Sequence, residues 1–301
     1  MDKVERKIDD NMIVKATIAG DSIKITTALG SDNPVMRRFN KDYMINTRTA
    51  ELVKIKHADS RTDIQNLRSL RKTFERIRLL INANFQGGRD QLFVTLTYRQ
   101  SPMKDSKKLY ADFKAYIKRL RKKLNTKIAY IVVIEPTAKG GWHCHTLIKR
   151  LDKKILYLKN NEMAKLWKQG FVNVRRIRQS DNIAMYLSAY LSDVDLNNLS
   201  DDVTKSKSHS KKIIKGGRLS FYPKGMRIYR TSRYGIQQPV KLKGYKAKIQ
   251  DKYGISNALP DYYRSFDICT SDGDPINIEV EYYSRRKVKL KQANIKENAD
   301  H

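Results

Sequence analysis

Residues 128–150 read IAYIVVIEPTAKGGWHCHTLIKR, and the way this stretch folds decides what the rest of the chain is built around. Two β-rich runs, 128–135 and 142–148, flank Lys139-Gly140-Gly141, a composition that marks a short turn between strands. Side chains alternate along a strand, so His143, His145 and Leu147 share one face. Trp142, Cys144, Thr146 and Ile148 point the other way, into a core. The chain holds only five histidines. Two imidazoles side by side on an open face either share a metal ion or stand together by chance.

A third donor follows from the turn. In a hairpin centred on Lys139, Glu135 lies as far before the centre as His143 lies after it. Cross-strand partners have Cβ atoms about 4.5–5.5 Å apart and face the same way. Glu135, His143 and His145 then form a compact N,N,O set with open metal positions. Imidazole mixed with carboxylate suits Mn²⁺, or Mg²⁺ with weaker preference, and accepts Zn²⁺. A structural zinc site would want four ligands and more sulfur.

Charge indicates what such a site acts on. Lys and Arg number 62 against 31 Asp and Glu, a net charge of +31. That excess repels itself unless a polyanion screens it, so nucleic acid is the expected partner, ahead of an anionic membrane surface. No apolar run approaches the roughly 18 residues that span a bilayer, and MDKVERKIDD lacks the apolar core of a secretion signal. Cys144 and Cys269, the only cysteines, argue against a disulfide framework and C-x-x-C zinc sites, and fit a reducing cytoplasm. At 40% apolar residues the chain can build a core.

Outward from the hairpin, residues 12–28 predict a β-hairpin around Gly20-Asp21, with a second extended pair at 43–46 and 52–56. Asp59-Ser60-Arg61 could cap a long helix carrying Leu67, Leu70, Phe74, Ile77, Leu80 and Ile81, ended by Gly87-Gly88. LFVTLTY (92–98) is a strand. A helix over about 105–124 turns Leu109, Phe113, Tyr116, Ile117 and Leu120 inward. Lys118, Arg119, Arg121, Lys122 and Lys123 cover its other side, as a solvated face or a phosphate contact. A helix at 161–168 leads into the strand FVNVRRI (171–177), and another helix runs from about Asp181 to Leu191. The order β-α-β-β-α-β-α, with mainly antiparallel strands, indicates an α+β sandwich with helices on one sheet face and the histidines on the other. Residues 197–215 read as a polar loop. In RLSFYPKGMRIYRTSRYG (218–235), Phe221, Tyr222, Tyr229 and Tyr234 interleave with Arg218, Lys224, Arg227, Arg230 and Arg233, which suits single-stranded nucleic acid or an ordinary amphipathic hairpin. RRKVKLK (285–291) reads as a basic tail. No G-x-x-x-x-G-K-[ST] is present, which argues against a built-in ATP-driven helicase.

In DNIAMYLSAYLSD, Tyr186 and Tyr190 stand at i and i+4, on one helix face about 5–6 Å apart. Isolated, that spacing more often marks core tyrosines. LFVTLTY, then Glu135, His143 and His145 as E-x7-H-x-H, then Y-x-x-x-Y in a following helix, resemble the three ordered motifs of the HUH endonucleases. More narrowly, the chain resembles the rolling-circle replication initiators (Rep) of Gram-positive plasmids, phages and integrative elements. The motifs occupy 92–190, and the resemblance extends over about 40–235, including RTAELVKIKH, LRKTFERIRLLINANF and FYPKGMRIYRTSR.

The resemblance implies an α+β HUH fold: a central antiparallel sheet of about five strands, helices packed on it, and the two histidines on its central strand. It divides the chain into an accessory β-hairpin region (1–60), the endonuclease core with its aromatic and basic extension (61–235), and a basic C-terminal region (236–301). It implies a divalent cation on Glu135, His143 and His145, and nicking of one strand at an origin hairpin. Tyr186 and Tyr190 become the candidate nucleophiles, leaving a 5′-phosphotyrosine and a 3′-OH for a host DNA polymerase working with a host helicase. In family members with a single tyrosine, that residue matches Tyr186. DNA contacts fall to Lys118, Arg119, Arg121, Lys122, Arg175, Arg176, Arg178, Arg227, Arg230 and Arg233. One departure stands out. Many members carry Lys three residues after a catalytic tyrosine, and here those positions are Ala189 and Asp193, so Arg175, Arg176 or Arg178 would have to supply that charge. A relaxase or single-strand transposase, a non-catalytic DNA-binding regulator and an unrelated metal hydrolase are the rival readings. Relaxases usually carry three histidines, and charge alone does not account for Glu135, two histidines and two tyrosines in order.

Overall fold

The computed structural model describes residues 8–29, 34–56, 64–100, 102–137, 139–178, 222–223, 225–269 and 275–290. The chain divides into two compact units, residues 1–57 with 238–301, and residues 58–237. In the first unit β1 (Ile13–Ala19) and β2 (Ser22–Thr26) pair as an antiparallel hairpin about Gly20 and Asp21. β3 (Met36–Arg38), β4 (Tyr43–Asn46) and β5 (Leu52–Lys54) form a small antiparallel sheet of their own.

The second unit carries the histidines. It opens with helix α1 (Ile64–Asn84), whose Phe74, Ile77, Leu80 and Ile81 recur at helical spacing and are buried in one core cluster. Then follow β6 (Gln91–Thr97), α2 (Ser106–Leu124), β7 (Ile128–Pro136), β8 (Trp142–Arg150), α3 (Asn160–Trp167), β9 (Val172–Arg176) and β10 (Tyr229–Thr231). The five strands make one antiparallel sheet in the order β10-β7-β8-β6-β9, so β8, with both histidines, lies in the middle.

Helices α2 and α3 pack on the face of β8 that carries Cys144. Asp105 caps α2, its carboxylate accepting from Lys107 N and Lys108 N, and Leu109, Phe113, Tyr116, Ile117 and Leu120 are its buried stripe. Phe113 meets Tyr130 edge-on at 5.3 Å between centroids, and Tyr116 meets Trp167 at 5.9 Å. Trp167 donates its indole N–H to Thr97 O at 3.1 Å, tying α3 to the end of β6. A Cβ at Gly170 would collide with Thr97 O and Arg99 N, so glycine is what lets the chain turn from α3 into β9 this close to β6.

The histidine face departs from the open surface that alternation alone suggests. Ile131 and Val133 of β7, Leu147 of β8 and Phe93 of β6 all belong to that face and are buried. At one end α1 reaches it: Lys149 Nζ donates to Asn84 Oδ1 at 2.9 Å and sits 5.6 Å over the Phe85 ring. The face is half-buried at Thr95, Thr97 and His143 and exposed along β9.

Beyond β10 the chain rejoins the first unit as β11 (Val240–Tyr245), α4 (Lys246–Lys252), β12 (Tyr262–Cys269) and β13 (Pro275–Ser284), giving the sheet order β11-β1-β2-β13-β12. The two chain ends, read separately from the sequence, thus share one sheet. Residues 285–290 are helical rather than a loose basic tail, and Arg285 donates to Gly20 O at 2.8 Å. Among the described residues no helix is long and apolar enough to cross a membrane.

Candidate metal and nucleic-acid site

The β7–β8 turn sets the geometry. Gly140 takes a φ of 78° and donates to Thr137 O at 2.9 Å, while Gly141 donates to the Thr137 hydroxyl at 3.0 Å. Closed this way, the hairpin pairs Glu135 with His143 and Val133 with His145, the register that the Lys139 centre requires. On the other side of β8, Thr97 pairs with His143 and Thr95 with His145.

Glu135 and His145 are each only 6% exposed. His145 Nε2 lies 2.6 Å from Glu135 Oε2, and its Nδ1 lies 3.2 Å from the Thr95 hydroxyl. One tautomer satisfies both contacts: Nε2–H donates to the carboxylate and Nδ1 accepts from Thr95. Phe93 stacks on the imidazole at 5.8 Å with the rings 4° from parallel. His145 is therefore held on three sides, which a sequence pattern names only in part, since nothing in LFVTLTY marks Phe93 or Thr95 as partners of a histidine.

The His143 and His145 ring centroids are 6.4 Å apart. Among the described residues no three His, Cys, Asp or Glu side chains are gathered closely enough to hold a metal ion together. The donor chemistry, one carboxylate oxygen and two imidazoles on one face, fits a divalent cation. The packing brings Glu135 and His145 into direct contact and leaves His143 one ring further off, so a cation there would displace the proton that bridges the pair.

β9 extends the face. In register, Phe171 adjoins Thr97, Asn173 pairs with Thr95, and Arg175 pairs with Phe93. Phe171 is 66% exposed, an aromatic ring left in solvent beside the His143 row. Arg175 is exposed on this same face. Arg176 alternates to the other face and donates to Arg89 O at 3.1 Å. Arg178 is exposed beyond the strand.

The other expected DNA contacts separate by what they touch. Arg119 does not project with its neighbours: its guanidinium donates to Leu166 O at 2.6 Å and Trp167 O at 3.2 Å, capping the last turn of α3. Lys118 and Lys122 are exposed, as are Arg227, Arg230 and Arg233. Tyr222, read from the sequence as a base-stacking candidate, is buried against Trp142 and donates to Ile134 O at 2.6 Å. Tyr186, Tyr190 and their helix lie outside the described residues, as do Phe221, Arg218, Lys224, the 59–61 cap and the 197–215 loop.

Cys144 sits between the histidines in sequence but on the opposite face in space. It is buried and its thiol is pushed up to about 12 by that burial, whereas Cys269 is exposed. A disulfide reagent should therefore titrate one thiol of the folded protein rapidly, at Cys269, and reach Cys144 only on unfolding. Peptide mapping that finds Cys144 labelled at the same rate would mean that β8 is shifted by one residue.

No curated protein and no solved structure matches the chain. Residues 91–195, the stretch from β6 through β9 and both candidate tyrosines, match the family model of replication-associated proteins of the ORF2 group, and this similarity over about a third of the chain supports a replication initiator protein.

Proposed function

We propose that the chain initiates rolling-circle replication by nicking one strand of origin DNA in a metal-dependent reaction and joining itself to the 5′ side of the nick through a tyrosine. One observation carries the reading: the stretch similar to replication-associated proteins is also the stretch whose central strand sets His143 and His145 beside Glu135. In the reaction a tyrosine oxygen attacks the scissile phosphorus. The P–O3′ bond breaks, the departing oxygen takes up a proton as the free 3′-OH, and a 5′-phosphotyrosine remains. One phosphodiester replaces another, so the step can run backwards and rejoin strands when a round is complete.

A divalent cation, Mn²⁺ or Mg²⁺, held by Glu135, His143 and His145 would supply polarisation of a non-bridging phosphoryl oxygen. The chain's own residues do the rest. Thr95 and Phe93 fix the His145 ring, as partners behind metal-binding histidines do. Arg175 offers the face a positive charge where the lysine after the tyrosines is missing. Phe171 offers a base a surface to stack on. The 3′-OH primes a host DNA polymerase, and strand separation falls to a host helicase.

Incubating the protein with a single-stranded oligonucleotide spanning the parent replicon's origin, with Mn²⁺, should give a covalent protein–DNA adduct. Peptide mapping is expected to find it on Tyr186, and Tyr186→Phe to abolish it, whereas Tyr190→Phe should nick but fail to resolve a completed round. An adduct on Tyr190 reverses the assignment. No tyrosyl adduct, with DNA binding intact, rejects the mechanism and leaves a non-catalytic DNA-binding replication protein.

A further inference from the structure

A second basic surface lies away from the histidine face. A cleft of about 1680 Å³ opens between α2 and the β7–β10 edge, with Ser69, Thr73 and Arg76 of α1 along its rim. Its floor is Tyr130, Val132 and Ile134 of β7 with Cys144 of β8. These residues alternate with Glu135, His143 and His145, so they belong to the opposite side of the sheet.

The cleft is lined by cations from both walls. Arg76, Lys114, Lys118 and Arg121 come from the helices, and Arg227, Arg230 and Arg233 from the β10 segment. Lys114, Lys118 and Arg121 stand at i, i+4 and i+7, one stripe about 10 Å long on α2. Among the described residues no Asp or Glu lines the cleft. Aromatic rings stand among the charges: Arg230 lies 3.4 Å over the Tyr110 ring, and Arg121 and Lys127 lie 5.4 Å and 5.9 Å over Tyr234. Tyr234 is 42% exposed.

We infer that this cleft is a second binding track, for a segment of single-stranded nucleic acid, separate from the site at Glu135 and His145. Seven cations without a lining carboxylate call for a polyanion. An acidic peptide would satisfy the charge but would have no use for rings held among the cations. Unpaired bases stack on such rings while their phosphates meet the cations, and a duplex, with its bases already stacked, does not. The track needs no chemistry at the histidines and stands even if no covalent adduct forms.

The test uses the full chain and three probes: a dT20 oligonucleotide, an abasic 20-mer with the same phosphates, and a 20-residue polyglutamate. Lys114→Glu/Lys118→Glu/Arg230→Glu should bind dT20 at least tenfold more weakly. It should also lower the slope of log affinity against log salt by about two, since each single-strand phosphate contact contributes roughly 0.7. Tyr234→Ala, an exposed position that leaves the fold intact if the triple variant fails to fold, should weaken dT20 binding about tenfold and leave the abasic 20-mer unchanged. Ultraviolet crosslinking of bromouridine-substituted dT20 should label peptides holding Tyr110 or Tyr234. Wild-type affinity and slope in the triple variant overturn the track. Equal loss of dT20 and abasic binding in Tyr234→Ala, or polyglutamate competing as well as dT20, overturns the single-strand assignment in favour of a general polyanion or an acidic protein.

Discussion

His145→Ala should lose origin nicking by about a thousandfold or more while keeping most of the protein's DNA affinity. The two halves of that result have different physical sources. Affinity comes from phosphate contacts spread over many of the 62 basic residues, so removing one neutral imidazole leaves it nearly unchanged. Chemistry depends on His145 far more. It touches Glu135 at 2.6 Å, and through Thr95 and Phe93 it is the most firmly held side chain of the face. Losing a metal ligand forfeits several kcal/mol of transition-state charge stabilisation, which is about three or more orders of magnitude in rate. The substitution also leaves the Glu135 carboxylate, 6% exposed, without that partner, at a cost of about 1–3 kcal/mol in stability. Thermal melting of the variant separates that loss from the loss of rate. EDTA should reproduce the inactive state in the wild type, with Mn²⁺ restoring it. Full nicking in EDTA rejects the cation and would make Glu135 and His145 a hydrogen-bonded pair of the core.

The hairpin was legible from sequence because everything that fixes it is local. Lys139-Gly140-Gly141 sets the turn, and the turn sets the register that faces Glu135 with His143. Alternation also identifies Trp142, Cys144 and Ile148 as core. What alternation does not give is whether the second face is bare. The signal was present in IAYIVVIE, a near-continuous apolar run of the kind that marks a strand covered on both sides. Its Ile131 and Val133 are buried on the histidine face. Charge reading failed differently. Composition counts Arg119 with its neighbours, and only packing reveals that it caps α3. The pairings of β1 with β11 and of β2 with β13 join residues more than two hundred apart in sequence, where no pattern points. The position of Tyr186 and Tyr190 relative to the histidines rests on motif order alone.

Lys246 is the cation whose role composition misstates most, and Lys246→Met should destabilise the unit that contains it by about 3–5 kcal/mol. Its side chain and that of Glu281 are both 0% exposed, with Nζ 3.0 Å from Glu281 Oε2. The ammonium also donates to Ile8 O at 2.5 Å, and Glu281 accepts from Ile8 N at 3.2 Å and from the Tyr283 hydroxyl at 2.8 Å. One ion pair thus fastens residue 8, the start of α4 and β13 together. Methionine fills similar volume but leaves the carboxylate buried without its cation, which costs far more than the pair itself contributes. The double variant Lys246→Met/Glu281→Leu removes both charges and should recover much of the loss, the remainder reflecting the Tyr283 hydroxyl and Ile8 N–H left without their acceptor. Hydrogen exchange reads where the loss falls. Protection should fall along β1, β11 and β13 in the single variant and persist along β7 and β8, whose sheet Lys246 does not enter. A single variant as stable as the wild type would mean that the pair is not buried as described. Equal loss of protection in β7 and β8 would mean that the two units unfold as one.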